Sequence, residues 1–140
     1  MTDKAGKILI VDDSEAVLEA EKNLLQKTGL HISLAKNGPE AIKKTYLEKP
    51  DIIFLDLMLP EINGDQVCRF IKNDKDLKET AVIIVTAKTD PETMQRCFKC
   101  GCDAYLSKPV TAKELLSKLK VVLDDKDIYI DWDVFQNNAE

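Results

Sequence analysis

Five polar side chains that could bind a metal and a phosphate each follow a short, largely apolar stretch. They are Asp12 and Asp13 after residues 8–11, Asp56 after residues 52–55, Thr86 after residues 82–85 and Lys108 after residues 104–107. Carboxylates suit Mg²⁺, whereas an ammonium and a hydroxyl suit phosphoryl oxygens. If these stretches are parallel strands, the side chains gather at one rim, because such sheets bind ligands at the carboxyl ends of their strands. The sequence therefore predicts a site for an oxyanion and a divalent cation.

Helical and strand-like patterns alternate along the chain and must position these side chains. A fifth strand near residues 32–35 joins the four stretches, and the predicted helices cover residues 14–28, 39–48, 64–72, 91–100 and 111–123. Short β-branched runs separated by amphipathic helices are typical of parallel strands covered on both faces. The pattern predicts an α/β fold, a doubly wound five-stranded parallel sheet with helices on both faces. Within the fourth helix, Met94 and Phe98 are predicted to face the core.

Composition narrows the class of protein. The chain has 140 residues, 44% of them hydrophobic and 32% charged, and this length suits one domain. Its formal net charge of -5, with no basic cluster, argues against binding to nucleic acid or to an anionic membrane. No apolar run approaches the roughly 18 residues of a membrane span. We therefore expect a cytoplasmic protein whose four cysteines are reduced.

Taken together, these positions resemble the receiver domain of bacterial two-component response regulators. The resemblance covers residues 6–123 and extends to the phosphoacceptor loop at residues 56–64 and the final strand and turn at residues 101–110. It implies the flavodoxin-like strand order 2-1-3-4-5, with the first and third strands side by side at the ligand-binding switch point. It also divides the chain into a receiver domain, residues 1–123, and a tail or linker toward an output domain, residues 124–140.

The resemblance also assigns roles at the predicted rim. Asp56 would accept a phosphoryl group from the phosphohistidine of a histidine kinase, or from a phosphotransfer protein. The Mg²⁺ ligands would be Asp12, Asp13, Asp56 and the backbone carbonyl of Met58. Thr86 and Lys108 would each contact a phosphoryl oxygen, and the peptide bond from Lys108 to Pro109 would be cis. Such a protein catalyses its own phosphorylation and slow dephosphorylation, and it is not a turnover enzyme.

A switch and an output surface are implied in the same way. Phosphorylation would draw the Thr86 hydroxyl inward, and Tyr105 would move into the space that it leaves. The surface of the fourth helix, fifth strand and fifth helix, residues 90–123, would then change and regulate a partner or an output domain. A phosphorylation-dependent dimer is left open. Taken alone, Tyr105 could instead be an amphipathic residue at a sheet edge with its hydroxyl in water, and we prefer the switch role.

Other readings of the same residues remain. Asp13 alone could be a helix cap, Thr86 an ordinary turn residue and Lys108 a solvated surface charge. The fold could serve as a protein-binding module that is never phosphorylated, although no residue that phosphorylation requires is missing. A haloacid-dehalogenase-like phosphatase also uses an aspartate nucleophile and Mg²⁺. That class needs an acid two residues after the nucleophile, where this chain has Met58, which cannot protonate a leaving group.

Two features fall outside the resemblance. Cys97, Cys100 and Cys102 form a cluster that we interpret as packed free thiols, since a zinc site needs four ligands. A metal or redox role stays open. Apolar residues alternate with polar and aromatic ones from Ile128 to Phe135, which is strand-like spacing. This segment could begin an output domain, dock on a partner or pack back on the receiver domain, and we favour the first.

Overall fold

Strands and helices alternate strictly in a computed structural model of the chain, which describes residues 6–126 and 128. The strands are β1 (Lys7–Val11), β2 (His31–Ala35), β3 (Ile52–Asp56), β4 (Ala81–Thr86) and β5 (Ala104–Ser107). The helices are α1 (Glu15–Gln26), α2 (Gly38–Glu48), α3 (Gly64–Asn73), α4 (Pro91–Lys99) and α5 (Ala112–Asp125). No helix of the described residues is both long and apolar enough to span a membrane.

The five strands form one parallel sheet in the order β2-β1-β3-β4-β5, so the predicted fold class and strand order are confirmed. From β1 the chain moves outward to β2 and then crosses back to β3 on the other side of β1. The register pairs Val11 of β1 with Leu55 of β3. The residues that follow these two, Asp12 and Asp56, therefore emerge side by side at the carboxyl edge of the sheet.

Two apolar layers cover the sheet, one on each face. Alternate residues of a strand point to opposite faces, so Leu9 and Ile53 belong to one layer while Ile8 and Phe54 belong to the other. The first layer includes residues of α2, α3 and α4, and the second includes residues of α1 and α5. Every residue of β3 and β4 is buried. This double coverage accounts for the continuous apolar runs in these strands.

Capping residues fix where several helices begin. The Ser14 hydroxyl accepts a hydrogen bond from the Val17 backbone N–H at the start of α1. Thr111 and Glu114 form the predicted capping box at the start of α5, where each side chain bonds the other's backbone N–H. Helix α5 continues to Asp125, two residues beyond the predicted end of the receiver domain. These caps hold the polar loops at the rim in place.

One residue of the tail packs on this fold. Ile128 is buried in the layer that includes α5, and its backbone N–H donates to the carbonyl of Leu123 at 3.0 Å. The remainder of the strand-like segment lies outside the described residues. A boundary at residue 123 therefore stays a prediction, and the receiver core includes at least this additional side chain.

The assignment of Phe98 to the core is wrong, because its side chain is 72% exposed. Helix α4 turns Thr93 and Cys97 toward the sheet, and Cys100 continues the same face at helical spacing. Phe98 is rotated about 100° from Cys97 and lies on the solvent side. Met94 is partly buried at the edge of the face. Met94 and Phe98 do have helical spacing, but the buried face of α4 contains the residues one position earlier, Thr93 and Cys97.

Gly64 allows α3 to begin directly beneath the end of β3. A Cβ atom placed on Gly64 would lie 2.2 Å from the backbone oxygen of Asp56. The Gly64 N–H donates to the carbonyl of Leu57 at 2.8 Å, which closes the loop tightly. No side chain fits there without a backbone shift. The position of Asp56 therefore depends on a glycine eight residues downstream.

We expect Gly64→Ala to lower the free energy of unfolding by about 3 kcal/mol, because the added methyl group must displace backbone rather than a flexible side chain. Urea unfolding followed by circular dichroism measures the change. Gly29→Ala is the control, since Gly29 has open space around it; its φ of +79° is left-handed, whereas Gly64 is not in that region. The control should cost only about 1 kcal/mol, from left-handed backbone strain alone. Equal losses in the two variants would contradict the role given to Gly64.

Candidate functional site

Three carboxylates converge at the carboxyl edge of the sheet. Asp12 and Asp13 follow β1, and Asp56 ends β3. Each offers an oxygen atom that lies within 4.8 Å of the oxygens offered by the other two. Asp12 and Asp56 are buried and Asp13 is exposed. The structure therefore brings together the three aspartates that the sequence predicted.

Lys108 joins two of these carboxylates. Its ammonium nitrogen lies 2.8 Å from Oδ2 of Asp12 and 3.3 Å from Oδ2 of Asp56. The side chain of Lys108 is 24% exposed, against 4% for Asp12 and 7% for Asp56. The peptide bond from Lys108 to Pro109 is cis, as the resemblance implied. A cation thus lies among the carboxylates and partly offsets their mutual repulsion.

The electrostatics of the site reflect this crowding. Burial raises the pKa of Asp56, the nearby Asp12 carboxylate raises it further, and Lys108 opposes both effects. For Lys108, burial favours the neutral amine. The hydrogen bond to Asp12 and the charge of Asp56 outweigh burial, so the pKa of Lys108 is raised. The ammonium is therefore charged at neutral pH.

Backbone donors orient the two buried carboxylates. The Ser14 N–H donates to Oδ1 of Asp12 at 2.9 Å, and the Met58 N–H donates to Oδ1 of Asp56 at 3.3 Å. In each case the donor comes two residues after the aspartate, so the local turn itself fixes the carboxylate. The Met58 side chain is 49% exposed beside the site. These bonds leave the Oδ2 atoms of both aspartates facing Lys108.

Thr86 and Tyr105 share a neighbour, the backbone of Lys88. The buried Thr86 hydroxyl accepts a hydrogen bond from the Lys88 N–H at 3.1 Å. The Tyr105 hydroxyl lies 3.5 Å from the Lys88 carbonyl, and its ring is partly buried. The N–H of Lys108 donates to the Thr86 carbonyl at 2.8 Å, which joins the ends of β4 and β5. A displacement of the loop after Thr86 would therefore be transmitted to Tyr105 through the backbone of Lys88.

The donor set fits a hard divalent cation. Asp12, Asp13 and Asp56 supply only oxygen, and Mg²⁺ needs one or two protein carboxylates together with water and phosphate oxygens. Sulfur and imidazole ligands, which would favour zinc or copper, are absent from this cluster. The residues present are therefore suited to Mg²⁺ rather than to zinc or copper.

Sequence reasoning missed one ionisable residue near the site, Glu21 of α1. Glu21 lies in a cleft of about 450 Å³ beside Lys108, between α1 and the turn that follows β5; the other lining residues are Val17, Ala20, Ala87, Pro109 and Val110. Burial and the charges of Asp12 and Asp56 raise the pKa of Glu21 to about 7, against the opposing effect of Lys108. In the sequence, only the four-residue spacing from Val17 indicates that Glu21 lies on the same helix face. The cleft itself is formed by tertiary packing.

Comparison with known proteins gives one consistent family. Residues 8–120 match the family described as response regulator receiver domain. Over 122 residues the chain is 34% identical to the alkaline phosphatase synthesis transcriptional regulatory protein PhoP of Bacillus subtilis, covering 87% of this chain and 50% of PhoP. It is 32% identical to the polar-differentiation response regulator DivK of Brucella anthropi, covering 84% of this chain and 96% of DivK. The chain thus spans half of PhoP and nearly all of DivK.

The fold also has close structural counterparts. One is the signal receiver domain of a signal transduction histidine kinase from Syntrophus aciditrophicus, with a TM-score of 0.82 and 37% sequence identity. That match covers 86% of this chain and 92% of the other. A match of this coverage takes in most of the chain.

Glu21 gives a prediction about stability and pH. Its pKa is raised in the folded state, so its contribution to stability is complete below about pH 4.5 and is lost as the pH rises through about 7. We expect the change in the free energy of unfolding caused by Glu21→Gln to be about 2 kcal/mol more favourable at pH 8 than at pH 5. The variant should be more stable than the parent at pH 8. Urea unfolding in the presence of a chelator at both pH values measures this difference.

Glu19→Gln is the matched control, because Glu19 is exposed on the same helix. The effect of Glu19→Gln at each pH is the reference for the effect of Glu21→Gln. A Glu21→Gln effect that is independent of pH would show that the fold does not hold the Glu21 carboxyl in its neutral form.

Proposed function

The chain belongs to the response regulator receiver domain family, and we propose that it is a phosphorylation-controlled switch whose phosphoacceptor is Asp56. Receiver domains are signalling domains rather than turnover enzymes; they generally bind Mg²⁺ and interact with histidine kinases and output partners. One observation carries the proposal. The Lys108 ammonium contacts both Asp12 and Asp56 across the switch point of the sheet, so the parts of a phosphoacceptor site converge.

The proposed reaction is a simple displacement. An oxygen of the Asp56 carboxylate attacks the phosphorus of a phosphohistidine; the new O–P bond forms as the P–N bond breaks, and the imidazole leaves. Lys108 exchanges its contact with Asp56 for a phosphoryl oxygen. Asp12, Asp13, Asp56 and the carbonyl of Met58 would hold Mg²⁺, which offsets negative charge at the phosphoryl group when it is bound.

We assign the conformational response to Thr86 and Tyr105. When the Thr86 side chain moves so that its hydroxyl donates to a phosphoryl oxygen, that oxygen no longer accepts from the Lys88 N–H. The loop that carries Lys88 is then free to move, and Tyr105 loses the neighbour of its hydroxyl. Phosphate favours the active state only through contacts that differ between the two states. The Thr86–Lys88 bond is such a difference.

Helix α4 is suited to transmit this change because it is lightly anchored. Only Thr93 and Cys97 of its nine residues are buried. Arg96 pairs with Asp65 of α3, at 3.0 and 3.3 Å, and ties the helix sideways. Phe98 of α4 and Val121 of α5 are 72% and 61% exposed. These apolar side chains support an output surface within residues 90–123, for a protein partner, an output domain or a second phosphorylated copy.

The two rival functions lack a specific observation in their favour. A binding module that is never phosphorylated would not need three carboxylates around a charged lysine. A haloacid-dehalogenase-like phosphatase would need an acid where Met58 presents an exposed thioether. We also propose that the receiver domain extends through Ile128, whose side chain is buried in the core, and that the tail or linker begins after it.

Phosphoryl acceptance can be tested by mass. With Mg²⁺ and acetyl phosphate or phosphoramidate, the intact chain should gain one phosphoryl group, and Asp56→Asn should gain none. Asp124→Asn, an exposed carboxylate removed from α5, is the control and should behave like the parent. An unmodified parent would favour the binding-module function, and a modified Asp56→Asn would place the acceptor elsewhere.

Lys108 gives a second test, because it competes with a cation for the same two carboxylates. In Lys108→Met we expect Mg²⁺ affinity to rise by about tenfold, since the carboxylates lose their internal counterion. Phosphoryl uptake should fall in the same variant. Isothermal titration calorimetry measures the affinity, with Lys120→Met, on the exposed side of α5, as the control. Unchanged or weaker Mg²⁺ binding would contradict the competition.

A further inference from the structure

Four thiols from three segments of the chain meet beside the sheet. Cys68 belongs to α3, Cys97 lies at the end of α4, Cys100 caps that helix, and Cys102 lies in the connection to β5. Cys68, Cys97 and Cys100 are buried, whereas Cys102 is partly exposed. All four are free thiols. None of them takes part in the site at the rim.

Two of these sulfur atoms lie side by side. The Cys100 and Cys102 thiols donate to the same acceptor, the carbonyl of Cys97, at 3.0 and 3.1 Å. Gly101 between them has φ +86°, a left-handed conformation that folds the chain back so that neighbouring cysteines can face one another. The segment Cys100–Cys102 is therefore a dithiol arranged by its own turn.

A shared metal does not explain this arrangement. Within residues 6–126 and 128, the one set of three ligand atoms that all lie within 4.8 Å of one another is the aspartate cluster at the rim. A structural zinc site needs four ligands in tetrahedral positions. The thiols therefore meet as pairs and not as a metal-binding set.

The two thiols differ in exposure. Cys102 is partly exposed and is the thiol that solvent reaches, whereas Cys100 is buried beside it. An accessible thiol and a second thiol close to it are the two components of a redox pair.

We propose that Cys100 and Cys102 are a redox modification site, a dithiol that peroxides convert reversibly to a disulfide. The Cys102 thiol gives up its proton and the thiolate attacks hydrogen peroxide; an S–O bond forms, the O–O bond breaks and the departing hydroxide takes the proton and leaves as water, so that sulfur is oxidised to a sulfenic acid. The Cys100 thiol then gives up its proton and attacks that sulfur; an S–S bond forms, the S–O bond breaks and the hydroxide takes the proton and leaves as water. In total, two thiols and one peroxide give one disulfide and two waters.

The position of the pair separates it from phosphoryl chemistry. Cys100 takes no part in the site at the carboxyl edge. It caps the end of α4, where its backbone N–H donates to the carbonyl of Arg96. Cys102 lies two residues before β5. Oxidation would therefore lock the turn between α4 and β5 whether or not Asp56 accepts a phosphoryl group.

The sequence allows a direct test. Trypsin cuts after Arg96 and Lys99 but not before Pro109, so Cys100 and Cys102 share the peptide 100–113 while Cys68 and Cys97 fall on two others. The folded, fully reduced chain is treated with hydrogen peroxide, unfolded in N-ethylmaleimide and digested. We expect peptide 100–113 to be lighter by two hydrogens and unlabelled, with label on Cys68 and Cys97. Dithiothreitol should restore its labelling.

Variants make the assignment specific. Cys102→Ser, at the partly exposed position, should abolish the disulfide, whereas Cys97→Ala should retain it. Asp56→Asn should oxidise like the parent, because the reaction is independent of phosphoryl acceptance. Labelling of all four thiols after peroxide, a peptide cross-linked through Cys68 or Cys97, or irreversible sulfonic acid at Cys102 would each overturn the proposal.

Discussion

Charge balance at the carboxyl edge of the sheet is the constraint on which the rest of this molecule depends. Asp12 and Asp56 are both buried, and each would repel the other in a medium of low polarity. The ammonium of Lys108 lies between them and arrives from a different strand. A buried charge without its partner is strongly destabilising. The fold must therefore bring three distant segments of the chain within contact distance of one another.

The order of the strands meets this requirement. Because β1 and β3 are neighbours, their carboxyl ends lie side by side. The loops that follow them lead to opposite faces of the sheet. Gly64 then lets α3 approach the end of β3 so closely that the backbone of Asp56 is held from below. Pairing of Thr86 with Ser107 carries the ends of β4 and β5 to the same rim. The position of the site thus follows from topology before any side chain is considered.

Much of this could be read from the sequence, for a physical reason. Asp56 and Lys108 were predicted because the end of an apolar run in the sequence marks the end of a strand, and the carboxyl ends of parallel strands lie at one edge of the sheet. Glu21 was missed because the cleft around it exists only once α1 packs beside the turn after β5. Phe98 was misplaced because helical spacing identifies a set of faces, and packing decides which one is buried. The convergence of Cys68 with Cys100 likewise required the contact of two helices.

The pair between Arg96 and Asp65 gives α4 an unusual kind of attachment. Asp65 is almost fully buried, while the Arg96 side chain is 40% exposed, so one half of the pair is open to dissolved ions. Screening by salt weakens such partly open contacts and leaves the apolar layers untouched. The strength of this attachment is therefore a property of the solution as well as of the chain, and a change in ionic strength acts on one side of α4 without acting on the apolar layers.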